Sequence, residues 1–499
     1  MKKIAIPLCL LLSGQASATR WFVSTTGSNA NTGQSVAEPF ATLQFAADIL
    51  LAGDSVFVSD GSYSGFNLMD KHGSAAATTH FSTTGPNVVI TTPCTYNNLD
   101  GINVENCEWV VIFGFTVSGM PRTGIRSALS DHVTIAYNTC TDNGVWGILT
   151  GFAEHCTIEH NTCSGSIDQH GIYFSNSADD PVIRYNHCFD NHDNGIHMNG
   201  DISLGGDGTI SNAQVYGNII HDNGTGGGSG INCDGVINSV FYDNLLYGNH
   251  ASGISLYQID GGVPSTGNKV FNNTIINASD ARWCVNITEL CTGNQVLNNI
   301  LINQHPWRGS IVIAADAQTG FVCDHNLVVN SLSPDGDATL LTLVQWQALG
   351  YDANSPVADA QSALFVDPLN GDFHPLSPSA QMVNAGSSAV ASVVAFDLDG
   401  VLRPQSGAFD IGCYEQPSGT GVGASTSTGE AMRILDDGSL LMNVGASAIL
   451  RGFDQTGALR LEATVSGEER VQLRSKGVWI LVLSAPDGSP LSATTVVVR

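Results

Sequence analysis

The sequence predicts an all-β chain dominated by a parallel β-helix, and three observations carry that prediction. First, an apolar residue followed by two residues and an Asn recurs through the middle of the chain. It reads IAYN (135–138), IEHN (158–161), IRYN (183–186), VYGN (215–218), FYDN (241–244), VFNN (270–273), VLNN (296–299) and CDHN (323–326), with Asn spacings of 23, 25, 32, 26, 29, 26 and 27. Second, a Gly or small residue followed by a β-branched residue keeps pace with it, as in GILTG (147–151), GIYFS (171–175), GIHMN (195–199) and GINCD (230–234). Third, 55 glycines and only 13% charged residues suit a turn-rich β protein. A unit of about 25 residues with two short strands cannot bury its apolar face alone, but stacked coils can. The repeated Asn is expected to form a ladder, each amide bonding the next coil at a tight bend. Gly114 of VVIFG (110–114) is expected to take the Asn position one coil earlier.

The remaining elements follow in order. Residues 1–18 read as a signal peptide: Lys2 and Lys3, a short apolar run from Ile4 to Leu12, then Ala16-Ser17-Ala18. A secreted or cell-surface protein is expected. No later apolar run has the ~18 residues of a membrane helix, so no transmembrane segment is expected. Residues 19–53 carry a strand and a capping helix, with Phe40, Leu43, Ala47, Leu50 and Leu51 on its apolar face. The β-helix proper takes 54–335. A cap segment follows at 336–415, a small polar linker at 416–430, and a β-sandwich at 431–499. Eleven cysteines follow the signal peptide, an odd number. Cys140, Cys163 and Cys188 share one repeat position and should stack as small buried side chains. Cys284 with Cys291, and Cys94 with Cys107, are candidate bridges. Turn formation is expected of Asp397, Asp399 and Asp410, with Ca²⁺ ligation the rival role.

On the Asn repeat and on WFVSTTGSNANTG (21–33) with PFATLQFAADILLAGDSVFVSDGSY (39–63), the chain resembles the right-handed parallel β-helix superfamily typified by pectate lyases, over residues 20–330. The series LVQWQALGYDANS (343–355), FVDP (365–368), DFHPLSPSA (372–380) and FDLDGVLRPQSGAFDIGCYE (396–415) is similar to the end segment of bacterial extracellular β-helix proteins, which implies a cap. GFDQTGALR (452–460) and KGVWILVLSAPDGSPLSATTVVVR (476–499) are similar to the C-terminal sorting domains of type IX secretion.

Alternation along the Gly-Ile strands locates the candidate chemistry. With the Ile inward, the next residue faces solvent: Arg126, Leu149, Tyr173, His197, Asn232, Ser255 and Asn286. A second outward row holds Ser175, Asn199, Asp234 and Tyr257. The residues before Gly, among them Trp146, His170, Asn194 and Trp283, are also expected to face outward. Tyr173, His197, His170 and Arg126 are the candidate catalytic residues. Trp146, Asn199, Asn232, Tyr257 and Trp283 are the candidate substrate-binding residues, with the two indoles as platforms at the ends of a polar groove. Asp201 and Asp234 are candidate ligands for calcium. Removing the proton alpha to a uronate carboxylate needs a base, a neutralising group and an acid, which His, Arg or Ca²⁺, and Tyr can supply.

The resemblance implies a lyase, or a C5-epimerase, acting on an acidic polysaccharide. Pectate-type lyases of this fold use Arg or Lys with Ca²⁺, whereas here Arg126 is the one basic residue on the mapped rows. Alginate epimerases use a D-x-H element, and Asp168-Gln169-His170 has that spacing. The rivals are a non-catalytic surface protein that binds glycan or a partner, and, third, a glycoside hydrolase. A net charge of −27 argues against nucleic acid and requires cations, or a modestly charged glycan, at the site. The capped helix is expected to be monomeric. The loop 201–213 lengthens one coil and is read as a groove wall, a cation site or a flexible insertion.

Overall fold

The computed structural model describes residues 18–416 and the strands Ala431–Ile434, Ser439–Asp454, Leu459–Gln472, Gly477–Ser484 and Pro490–Val498. The expected signal peptide before residue 18, and nearly all of the expected linker, lie outside the described residues. The chain divides into two compact units at residues 417 and 418.

Short strands of the first unit stack in register into three long parallel sheets of 12, 11 and 11 strands, so the fold is an all-β parallel β-helix. The first sheet runs from Arg20–Val23 to Val322–Asp324, the second from Phe66–Met69 to Leu332–Ser333, and the third from Gly61–Ser64 to Leu327–Val328. Ile125, Ile148, Ile172, Ile196, Ile231 and Ile254 form one continuous inward column, fully buried. Cys140, Cys163 and Cys188 stack in register as expected. All eleven described cysteines are free and buried, so neither candidate bridge forms.

The Asn ladder is present at every position from Asn138 to Asn326. Asn186 shows the unit: its amide donates to Asn218 Oδ1 at 3.0 Å and to Ile158 O at 2.8 Å, while its Oδ1 accepts from the Asn161 backbone at 3.0 Å and amide at 3.1 Å. Gly114 is one residue out of phase: Asn138 Oδ1 accepts from Phe115 N, and Phe115 is buried. A second ladder, not anticipated, stands five residues along: Asn191 donates to Asn223, which donates to Asn249.

Both ends are closed. Helix Leu43–Ile49 covers the first coil with Leu43, Ala46 and Ala47, and Leu50 is buried beside it. Leu51 is 66% exposed, because the helix has already ended and the chain turns away. Helix Leu343–Gln347, opened by a Thr342–Gln345 capping box, buries Trp346 at the other end. Residues 364–414 add a side cluster of Leu364, Phe365, Phe373 and Ile411. Buried Arg403 ties that segment down, bonding Asp243 and Glu415 at 3.1 Å each. Asp397 and Asp410 accept backbone N–H groups of turns. In the second unit, the described strands form one antiparallel sheet. No helix among the described residues is long and apolar enough to cross a membrane.

Asn186→Ala removes four ladder bonds at once and strands a buried donor and acceptor. It is expected to lower the unfolding free energy by about 2–4 kcal/mol, measured by urea titration.

Candidate functional site

Alternation on the second sheet builds the site. Ile172, Phe174, Ile196, Met198, Ile231 and Cys233 point into the core with no exposed surface, so the residues between them face out. Register then sets Tyr173 beside His197 and His197 beside Asn232, on strands about 4.8 Å apart. Asn199, Asp234 and Tyr257 occupy the parallel row. Tyr173 and His197 stack with centroids 4.9 Å apart and 18° between planes. Trp146 leans over Tyr173 at 5.6 Å, held by its indole N–H to Gln169 Oε1 at 2.9 Å. Gln169 of the D-x-H element therefore positions the indole.

His170 is nearly buried, in contrast to its expected outward placement. The residue before Gly, or before Cys284, stands two positions before the inward Ile or Val, so period-2 alternation gives it the inward parity, and Thr123, His170, Asn194, Ser229, Ser252 and Trp283 are all buried. This corrects Trp283 as well: it is 3% exposed and cannot act as a sugar platform. His170 still reaches the centre, with Nε2 3.0 Å from His197 Nδ1.

Hydrogen bonds fix the tautomers. The Asn194 backbone N–H donates to His170 Nδ1 at 3.3 Å, so neutral His170 carries its proton on Nε2 and donates to His197 Nδ1. His197 then carries its proton on Nε2, directed at the Tyr257 hydroxyl oxygen 3.4 Å away. Asn232 Nδ2 donates to the same oxygen at 2.8 Å. Asn199 Nδ2 donates to the Tyr173 hydroxyl at 3.3 Å. Burial pushes His197 down to about 4. Burial, then the His197 charge, lowers His170 as well. Burial raises Tyr173, and burial with the Asp234 carboxylate raises Tyr257. At neutral pH the cluster is uncharged, and two N–H donors converge on one phenol oxygen.

Three expected residues stand apart. Arg126 is two strands from Tyr173, with its guanidinium on Asn103 at 2.6 Å and Glu105 at 2.7 Å. Asp234 does not fit a calcium cage: its carboxylate accepts backbone N–H groups of Ile259, Asp260 and Gly261 at 3.0, 2.7 and 3.0 Å. Asp201 caps Ser203 N at 3.1 Å. The loop 201–213 is an ordered wall. Ile202 N bonds Asp260 O at 3.0 Å, and Gly208 O accepts from Gly262 N at 2.7 Å.

One feature was missed. A concavity of about 450 Å³ lies at the entry corner of the same sheet, lined by the Gly224–Gly227 loop, His250, Asp280, Arg282 and Arg308. Arg308 stacks on Trp307 at 4.6 Å, and its Nε is buried without a hydrogen-bond partner. His250 is held by Asp280 at 2.9 Å. The loop packs against His192 and Asp193, and Gly228 beside it packs against Asn194, whose Oδ1 accepts from Ser229 N at 2.6 Å. The sequence signal was there: each arginine stands three residues before an inward strand residue, Val285 or Ile311.

A family model described as a right handed beta helix region matches residues 100–263. No curated protein matches the chain. The crystal structure of pectate lyase Pel9A is similar at 15% identity, covering 80% of this chain and 97% of that one, with a TM-score of 0.56. A rhamnogalacturonan lyase covers 62% of this chain and 87% of its own at 13% identity and a TM-score of 0.46. An alginate lyase from Paenibacillus sp. str. FPU-7 covers 61% and 99% at 17% identity and 0.41. The family model and the Pel9A likeness establish the fold, a right-handed parallel β-helix.

An unfolded imidazole binds its proton near 6.5, whereas His197 in the fold does so only near 4. Stability is therefore expected to fall as pH drops from about 6.5 to about 4, and to fall less in His197→Gln. Denaturant titrations across that range check this, and the His197 ring should titrate below pH 5 by NMR.

Proposed function

We propose that this is an exported polysaccharide-active enzyme, a lyase acting by β-elimination or a C5-epimerase, on a glycan that contains uronic acid. One observation carries the reading: Asn232 Nδ2 and His197 Nε2–H converge on the Tyr257 oxygen. Those two donors fix that oxygen in place as the atom that exchanges protons with the substrate. Tyr257 then takes the C5 proton while its own hydroxyl proton passes to the departing glycosidic oxygen. The C4–O bond breaks, C4=C5 forms, and the phenol is restored. Epimerisation shares the first step and returns a proton to C5 instead.

His197 stays neutral and donates throughout, because burial keeps its pKa near 4. His170 and Asn194 hold it in the donating tautomer. Tyr173 and Trp146 offer aromatic surface beside the reacting ring. Arg282 and Arg308 supply positive charge for a uronate carboxylate on a strongly acidic chain. No step is routed through calcium, since the backbone amides already fill Asp234. The same amides leave Asp234 poorly suited to the carboxyl pair that glycoside hydrolysis needs. The second unit is assigned to sorting at the cell surface, on the resemblance of 452–460 and 476–499 to type IX sorting domains.

One observation favours a second reading, glycan binding without turnover: both His197 nitrogens are already engaged. Incubation with alginate, polygalacturonate and rhamnogalacturonan, with and without a chelator, separates the two. Turnover should release unsaturated product absorbing near the ultraviolet edge, or alter uronate stereochemistry. Saturable binding with neither change establishes the second reading.

Tyr257→Phe is expected to lower kcat by about 10³-fold with little change in KM. Full activity in that variant removes Tyr257 from the reaction. Arg282→Gln and Arg308→Gln are each expected to raise KM about tenfold while kcat holds.

A further inference from the structure

A second cluster lies on the first sheet, away from the glycan site. Strands Glu108–Phe113 and Asp131–Ala136 and the residues entering strand Thr157–Glu159 start alike: Glu108-Trp109, Asp131-His132 and Glu154-His155. Trp109, His132 and His155 all take a left-handed backbone, with φ of 56°, 53° and 48°. Their rings stack at 3.9 and 4.4 Å, with 18° between planes at each step. Stacking turns both imidazoles the same way. His132 Nδ1 lies 2.7 Å and His155 Nδ1 2.9 Å from one oxygen, Asp131 Oδ1.

We propose that Asp131, His132 and His155 bind a divalent transition ion of the zinc class, which staples two adjacent coils. Three arguments support this. The ligand atoms all lie within 4.8 Å of one another. Around an ion with bonds of about 2.0–2.1 Å, tetrahedral neighbours stand about 3.4 Å apart, so the three need open by only about half an ångström. Secondly, His132 Nδ1 is shut off from solvent yet makes no hydrogen bond, despite its short approach to Asp131. A lone pair in that state calls for a proton donor or a metal. Thirdly, Glu108, Asp131, Glu154 and Asp179 hold equivalent places on four successive coils. Like charges opposite one another repel. Among the described residues, no lysine or arginine ion-pairs with these four carboxylates. A bound cation offsets that repulsion.

Two imidazole nitrogens select a borderline metal over calcium, which takes oxygen ligands. Three protein ligands leave the fourth position to water. The proposal is independent of the glycan reading.

The test is calorimetric titration of zinc chloride into the chelator-stripped full chain at neutral pH. One equivalent is expected to bind in the micromolar range or tighter and to raise the Tm. His132→Ala and His155→Ala should each weaken binding at least tenfold and remove the Tm rise. If either fails to fold by circular dichroism, Asp131→Asn serves in its place, with the same loss expected. His374→Ala removes a rival imidazole held between Asp372 and Asp399 at 2.6 and 2.8 Å, and it should leave zinc binding intact. Absence of saturable binding, binding unchanged in the His132 and His155 variants, loss in His374→Ala, or displacement by tenfold excess calcium overturns the proposal.

Discussion

Everything in the first unit depends on coils repeating in register, and a buried amide at each bend enforces it. A parallel sheet alone sets the strand spacing but tolerates slippage along the strand. A column of buried Asn does not, because each amide serves the coil before it and the coil after it. A slip of one residue would strand a buried donor and acceptor at each bend and swap the inward Ile column for the outward polar one. The second ladder, through Asn191, Asn223 and Asn249, fixes the next bend in the same way. With two bends pinned, side chains on neighbouring coils hold fixed positions. That is why residues far apart in sequence, His197 and Tyr257, meet at hydrogen-bond distance.

The polar centre is a consequence of this rigidity. Its members are neutral groups brought close in a partly dry place, not charged groups in pairs. Burial depresses both imidazoles and raises both phenols, so all four favour the uncharged form. Hydrogen bonds then set which atoms carry protons. The direction runs from the Asn194 backbone through His170 and His197 to Tyr257, and it starts at a peptide N–H that cannot reverse. Binding or chemistry at Tyr257 thus inherits its polarity from a backbone bond two coils away.

Much of this was legible in the sequence, and the exceptions share physical causes. The Asn column, the stacked cysteines and the pairing of Tyr173 with His197 follow from periods of about 25 and of 2, which the sequence displays directly. Gly114 was misplaced because its coil carries no Asn to mark the phase, and Phe115 holds the position. Trp283 and His170 were misassigned by parity: each stands two residues before an inward Val or Ile, so alternation itself places it with the buried row. Asp234 looked like a free carboxylate because its three donors are backbone groups of residues 259–261, invisible to side-chain patterns. The role of Asn194 was hidden for the same reason, since it is its backbone N–H that decides the His170 tautomer.

The irregular repeat explains why the chemistry sits where it does. The longest Asn interval, 32 residues between Asn186 and Asn218, is the coil that holds His197. Its extra length is the loop 201–213, which bends back onto residues 260–262. Asp234 ties down 259–261 from beneath, so loop, wall and buried carboxylate form one unit. The wall covers Asn199 and Asp234, which an unadorned coil would leave in water. His197 is dried by its own neighbours, Tyr173, His170 and Tyr257, and that burial holds it neutral. A shorter loop would leave the ladder and core intact and would still place the same side chains on the same face. It would uncover Asn199 and Asp234 alone. The site is thus specified twice: by register, which places the residues, and by one overlong coil, which covers Asn199 and Asp234.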